Sequence, residues 1–252
     1  LAHDDSHEAH QGHGETQFTQ EFWDDRYGSA DRLWSGNPNV QLVAQVSDLL
    51  PGRALDVGCG EGADAVWLAG RGWLVTAVDV SVVALQRGAA AAAEVLGGAG
   101  AARISWEQAD VLSWDPPAAT FDLVTSHYMH APDFTGLHRR LATGVRPGGT
   151  FLAVAHHAED LPAAIVEHSH AEELREHADA AHHGDASRFP TTEQMKAALD
   201  GGDWDIVVAD APGREVKDLD GNVVTVRDMV LRAVRRQGST KRTLGRSSGS
   251  GT

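Results

Sequence analysis

RALDVGCGEGADAVWLAGRGWLVTAVDVS, residues Arg53–Ser81, decides the fold. It opens on a short apolar strand, Ala54–Val57, and runs directly into Gly58-Cys59-Gly60-Glu61-Gly62. Ala63, Ala65, Val66, Leu68 and Ala69 then recur at helical spacing on one face. A second apolar strand, Trp73–Val78, ends on Asp79. Together these make one strand–helix–strand unit of about 30 residues. Its glycines occupy the first strand-to-helix turn, where a ligand meets bare backbone and a helix N-terminus. Asp79 closes the second strand about 20 residues later, where a carboxylate accepts bonds from ribose hydroxyls.

The glycine spacing separates two readings of this turn. A dinucleotide-binding turn is G-x-G-x-x-G, open to a pyrophosphate. Here the order is Gly58-x-Gly60-x-Gly62, preceded by Asp56, and an acid beside the turn suits an ammonium-bearing ligand better than phosphates. D-x-G-x-G-x-G resembles motif I of the class I S-adenosylmethionine (SAM) methyltransferases, and TAVDVS resembles the acidic loop that follows it in that family. The resemblance implies that Asp56, Gly58, Cys59, Gly60 and Gly62 hold the methionine end of SAM, and that Asp79 and Val80 meet the ribose. An NAD(P)-dependent oxidoreductase would use the same unit, but the third glycine stands at the wrong offset for it.

Upstream, Thr19–Tyr27 (TQEFWDDRY) reads as a short helix capped by Thr19, with Phe22, Trp23 and Tyr27 on its apolar side. Leu33–Asn39, with Trp34, is a turn, and Val40–Leu50 is an amphipathic helix capped by Asn39. FWDDRY followed by LWSGNPN resembles the opening of a bacterial small-molecule group near the tellurite-resistance and thiopurine methyltransferases. Trp23, Tyr27 and Trp34 are either core residues or a flap facing the cofactor, where an aromatic wall suits a sulfonium.

Downstream, Ser81–Leu96 is an Ala-rich helix and Arg103–Glu107 a third strand. In the family an acid just beyond that strand meets the adenine amine and its neighbour packs on the ring; Asp110 and Val111 match. Phe121–Thr125 is the fourth strand, and it delivers Ser126, His127, Tyr128, Met129 and His130 to the carboxyl end of the sheet, where the crevice of an open α/β sheet lies. By resemblance Ser126 borders the cofactor. His127 or His130, with Tyr128 beside them, are the candidate catalytic groups, because imidazole titrates near neutral pH. The segment lacks the N/D-P-P-Y/F pattern of amino-methylating DNA enzymes. Asp133–Thr143 is a helix, and Val145–Thr150, with Pro147-Gly148-Gly149, resembles the family's entry to strand Phe151–Ala155, which brings His156-His157 to the same end.

Residues 156–190 form a His-rich insertion with one helix expected around Ala171–Ala181, placed where a lid over an acceptor would lie. Its histidines offer no clean H-x-x-x-H pair with a carboxylate partner, and no residue is assigned as a metal ligand. Thr191–Leu199 is a capped helix, and Trp204–Ala211 with Val223–Val234 a closing antiparallel pair joined through an Asp220-Gly221 turn. Residues 1–18, with His3, His7, His10 and His13, and the basic, Ser/Gly-rich residues 237–252 are expected to be disordered tails. The folded unit is therefore residues 19–236.

The 252 residues are 42% hydrophobic and 23% charged, enough for one α/β domain with a full core. No apolar run of 18 residues occurs and the polar N-terminus has no signal-peptide core, so no membrane span is expected and the expected location is cytoplasmic. Cys59 is the single cysteine, which excludes an internal disulfide. A formal charge of −15 repels nucleic acid backbones and favours a small-molecule partner. Alternating strands and helices imply a doubly wound α/β domain with an antiparallel edge strand. The resemblance adds seven strands in the order 3-2-1-4-5-7-6, SAM as cofactor, and methyl transfer to a small acceptor, a thiol, another chalcogen or a heterocycle. The alternatives are O- or N-methylation of a larger metabolite with a histidine base, a SAM sensor, and a His-rich metal-binding protein on a SAM-binding scaffold. Oligomeric state is left open.

Overall fold

The structure, a computed structural model, describes residues 19–29, 36–129, 131–160, 190–199, 201–217 and 222–237. The N-terminal tail, Trp34, His130, almost all of the His-rich insertion, the Asp220-Gly221 turn and the C-terminal tail lie outside the described residues.

The first strand, β1 (Arg53–Val57), sits at the centre of the sheet because it is apolar on both faces. It pairs in parallel with β2 (Leu74–Asp79) on one side and β4 (Phe121–His127) on the other. Beyond β2 lies β3 (Ile104–Gln108), and beyond β4 lies β5 (Val145–His156), both parallel. The chain then reverses: β8 (Val223–Arg235) runs antiparallel to β5, and β6 (Trp204–Asp210) antiparallel to β8. The order is β3-β2-β1-β4-β5-β8-β6, the expected doubly wound sheet.

Among the described residues, one strand more is present than the seven expected. β7 (Gly213–Lys217) pairs with β8 at Val223–Arg227, while β6 pairs with its later part, Val230–Arg235. The two thus follow one another along the same edge of β8. Pro212 between them has no N–H to continue the ladder, and its carbonyl accepts from Asp228 N–H instead.

Strand parity sorts the core into two layers. Leu55, Val57, Val124, Phe151 and Leu231 face α5 (Phe134–Ala142) and α6 (Thr192–Ala197). Ala54, Val75, Ala77, Leu123, Leu152 and Val230 face α2 (Val40–Val46), α3 (Ala63–Gly70) and α4 (Val82–Ala101). Asp56, Thr125 and His127 share the parity of Ala54 and Leu123 and so lie on the α2–α3 face; Ser126 shares that of Val124 and lies on the α5 face.

Apart from α3, whose N-cap is Gly62, the helices begin at side-chain caps: Thr19 for α1 (Gln20–Gly28), Asn39 for α2, Ser81 for α4, Asp133 for α5, and a Thr191–Gln194 capping box for α6. α2 ends at Val46, four residues before the expected Leu50, where Ser47 donates its hydroxyl back to the Val43 carbonyl. α4 runs past Leu96 to Ala101, but kinks at Gly97, which takes φ 66°.

Candidate active site

The glycine turn is built as a tight left-handed staircase. Gly58, Gly60 and Gly62 take φ of 66°, 52° and 77°. At Gly62 a β-carbon would come within 2.3 Å of the Trp106 ring, and at Gly58 within 2.2 Å of Met129 Sδ. The Gly58 and Cys59 N–H groups both donate to the Val78 carbonyl, which locks the turn onto the end of β2. Cys59 lends the turn its small size; burial pushes its thiol well above the ordinary range, away from reactivity.

Asp79 clamps this turn from below. One carboxylate oxygen accepts from Gly60 N–H (2.8 Å), the other from Ser81 N–H (2.9 Å). Burial raises its pKa, and those backbone bonds act against the rise. Each oxygen keeps a second lone pair, so the acceptors present fit the hydroxyls of a ribose diol without releasing the turn. Val80 follows, half-buried. Asp110 lies beyond the end of β3, exposed, accepting from Leu112 N–H (2.9 Å), and Val111 is buried in the α5-side core.

Over the start of α4 lies α1. Asp24 accepts from Ser81 Oγ (2.6 Å) and Val83 N–H (3.2 Å). Partial burial works against its ionisation, but bonds from Ser81, Gln20 and the backbone outweigh it and hold the carboxyl below its usual range. Trp23 and Tyr27 pack with Val83 and Ala84 on the first turn of α4, which places them next to the acidic loop that follows β2.

The residues after β4 diverge. Ser126 Oγ lies 3.2 Å from Nε2 of His138, a fully buried histidine edge-on to Phe134 and Phe151, so its side chain is occupied within the α5-side core. Burial drops the His138 pKa to about 3, which keeps the ring neutral. Tyr128 takes φ 50°, a strained position for a side chain of its size, stacks on His156 at 4.1 Å, and donates its hydroxyl to Asp228 (3.0 Å). Burial, with the Asp228 charge beside it, pushes the Tyr128 phenol further up from its ordinary value.

His127 joins two carboxylates. Its Nδ1 lies 2.7 Å from Asp64 Oδ2, and Asp64 Oδ1 accepts from Asn39 N–H (2.6 Å). Asp56, 2% exposed, accepts from Thr125 Oγ1 (2.9 Å) on one oxygen. Its other oxygen, and Nε2 of His127, have no partner among the described residues. Desolvation, reinforced by Asp64, pushes the Asp56 pKa up to about 7.

Of the residues singled out in the sequence, the structure brings Asp56, Gly58–Gly62, Asp79 and His127 together, and sends the side chains of Ser126 and Tyr128 to other partners. Asp64 was missed. As an acid in the first turn of a helix it reads as an ordinary dipole partner, and only the pairing of β1 with β4 shows that it meets His127.

A methyltransferase-domain family model matches residues 54–149. An uncharacterized methyltransferase of Mycobacterium bovis is 36% identical over 129 residues, 49% of this chain and 61% of the relative. A ubiquinone biosynthesis O-methyltransferase of Alkalilimnicola ehrlichii is 37% identical over 132 residues, 50% of this chain and 51% of the relative. The chain thus spans only half to three-fifths of the length of these relatives. Among solved structures, a protein studied for the conversion of a disulfide bond into a thioacetal group during echinomycin biosynthesis superposes with a TM-score of 0.61 at 21% identity, over 88% of this chain and 94% of the other. Residues 54–149 thus match a methyltransferase domain, and the sheet order around them is the one that the resemblance to class I SAM-dependent methyltransferases implies.

Proposed function

We propose that the chain transfers the methyl group of SAM to a small, soft nucleophile, a thiol or heavier chalcogen, with a heterocycle next in line. The Gly58–Gly62 turn with Asp56 beneath it receives the methionine end, Asp79 the ribose, and Asp110 with Val111 the adenine. The cofactor supplies an activated methyl group; the protein supplies alignment, worth effective molarities on the order of 10⁵–10⁸ M.

The observation that carries the acceptor class is the engagement of the two candidate bases that lie among the described residues, His127 and Tyr128. His127 is bound through Nδ1 to Asp64, its Nε2 is buried, and the Tyr128 hydroxyl donates to Asp228. Neither offers an exposed basic atom. The acceptor must then bring its own nucleophile, as a thiol does: with a pKa near 8.5 it is a few per cent thiolate at pH 7, and its proton has already gone to solvent. The sulfur lone pair forms the new S–CH3 bond while the C–S bond of the sulfonium breaks, leaving neutral S-adenosylhomocysteine.

The test is S-adenosylhomocysteine release with aliphatic and aromatic thiols, selenite plus reductant, iodide, a phenol and a pyridine-type heterocycle. The A. ehrlichii relative is an O-methyltransferase by name and the echinomycin protein works on sulfur, so the panel includes both atom types. Turnover led by thiols and selenide is expected. Turnover led by the phenol would overturn the soft-acceptor reading and return His127 to the role of base. SAM binding with silence across the panel would overturn the small-acceptor reading.

A further inference from the structure

The carboxyl end of the sheet carries the glycine turn; the opposite end has an opening of its own. β3 is joined to β4 by residues 109–120, which form turns and no helix. The helices that pack on β2 and β3, α3 and α4, lie on the other face. From the connection, Val111 and Trp114 pack in one core with Val78 and cover the upper part of this face. Toward the start of the strands the cover ends: Val78 is fully buried, whereas Leu74 on the same face is 55% exposed. What remains is a cavity of about 390 Å³, lined by Leu74, Thr76 and Ser105 and flanked by Arg53 and Arg103. That volume lies within the range of small-ligand sites.

Strand pairing builds the floor. Arg53 stands beside Leu74, and Thr76 beside Ser105. Arg103 comes one residue before β3, where its carbonyl accepts from Val75 N–H. The two arginine backbones are thus two strand spacings apart, roughly 10 Å, with Leu74 between them. Neither charge is answered by a carboxylate among the described residues. Asp122 accepts from Arg53 N–H (2.7 Å), but its ion pair is with Arg146. Arg103 gives one of its five N–H donors to the Ala69 carbonyl (3.4 Å). Glu107, on the same face of β3, stands four residues along from Arg103, roughly 13 Å, and pairs with neither.

We propose that this cavity binds an amphiphilic oxyanion, a carboxylate or a phosphate monoester on a short apolar body. The chain carries a formal charge of −15, so two arginines left unanswered beside an open apolar floor are complementary to an anion with an apolar part. The guanidiniums take the head group, because their forked N–H donors match two oxygens of a carboxylate or phosphate. Leu74 and Ala102 meet the body, and the Thr76 and Ser105 hydroxyls add donors on the floor. Leu74 and Asp79 are separated by the length of β2, roughly 16 Å, so the ligand does not reach the glycine turn. The inference does not rest on methyl transfer.

Octanoate, octyl phosphate, octanol and acetate are the probes. Each is titrated into the full chain near neutral pH and followed by calorimetry, with thermal melting alongside. One octanoate or octyl phosphate per chain, with Kd at or below about 0.5 mM, and a rise in Tm are expected; the tighter of the two names the head group. Octanol and acetate each lack half of the ligand and should bind at least about tenfold more weakly. Arg53→Gln and Arg103→Gln should each weaken the amphiphile by at least about tenfold. Leu74→Glu sets a carboxylate between the arginines and should abolish binding. Because Leu74 is 55% exposed, this variant keeps the test in force should Arg103→Gln, which loses its bond to α3, fail to fold. Saturation with SAM should leave the affinity unchanged. No heat and no change in Tm up to about 5 mM amphiphile would overturn the site. So would equal binding of octanol or acetate, or wild-type affinity in Leu74→Glu. Displacement by SAM would move the amphiphile to the crevice, and a dimer that octanoate dissociates would give this face to a second copy; either result overturns the proposal.

Discussion

His138 and Asp79 show how a single buried group sets a measurable property. His138 is fully buried and stays neutral, with its pKa lowered to about 3 by desolvation. In the unfolded chain its pKa returns to near 6.5. The unfolded state therefore takes up a proton that the folded state refuses, and the stability His138 allows above pH 6.5 is lost progressively as pH falls from there toward 3. Urea unfolding of wild type and His138→Gln at pH 6.5 and 4.5 should show wild type losing up to about 2 kcal/mol more than the variant. Equal losses would clear His138 of any part in acid sensitivity. For Asp79, the prediction concerns ligand binding. Asn cannot accept on both sides, so Asp79→Asn should weaken SAM binding by roughly 10- to 100-fold by calorimetry, with the circular dichroism of a folded domain. Unchanged affinity in a folded variant would remove Asp79 from the ribose.

At the scale of elements, α1 is held to the start of α4 chiefly by one carboxylate. Asp24 accepts from Ser81 Oγ and Val83 N–H, at the end of α4 where orphan N–H groups and the helix dipole favour a negative charge. The small Trp23–Tyr27–Ala84 cluster adds apolar contact to this. Asp24→Ala should cost about 1 kcal/mol, the worth of a lost cap, and most of that loss should be local. Amide exchange over residues 20–28 should speed up several-fold while β1, β4 and β5 exchange as before. Uniform acceleration across the sheet would mean instead that α1 is part of the global folding unit. The same contact positions the aromatic side chains beside the acidic loop, a placement that the helix's own weak amphipathic pattern does not decide.

At the scale of the whole molecule, Asp228 is the tie between layers. Fully buried on β8, it accepts from Gln41 on α2 (3.1 Å), Tyr128 after β4 (3.0 Å) and Arg214 on β7 (2.8 Å). Removing it takes the carboxylate away from a mostly buried guanidinium and from two further donors. Asp228→Ala should therefore lower stability by about 3–5 kcal/mol in chemical denaturation, the range for breaking a buried ion pair by deleting one partner. A loss below 1 kcal/mol would show that the network relaxes without it. Because Tyr128 closes the crevice end of β4, SAM binding in this variant should weaken as well.

The strand–turn–helix–strand unit, the α/β alternation and the helix caps were legible in the sequence because they are local. A period of two or 3.6 residues, a glycine at a positive φ and a Thr or Asn before a helix act over fewer than about ten residues. Pro212 is a local signal too, but GREVK is too short and too polar to read as β7 without β8 to pair it. The site is legible only in part. Asp56 and Asp79 declare themselves by their distance from the glycines, whereas Asp64–His127, Ser126–His138 and Gln41–Asp228 join residues 63, 12 and 187 positions apart. Which of them meet depends on register and on the two-residue alternation that turns His127 to one face and Ser126 to the other. The sequence by itself determined the cofactor turn and the class of the sheet; the tertiary structure alone decided which carboxylate faces which imidazole, because strand register, unlike a turn, is fixed by partners distant along the chain.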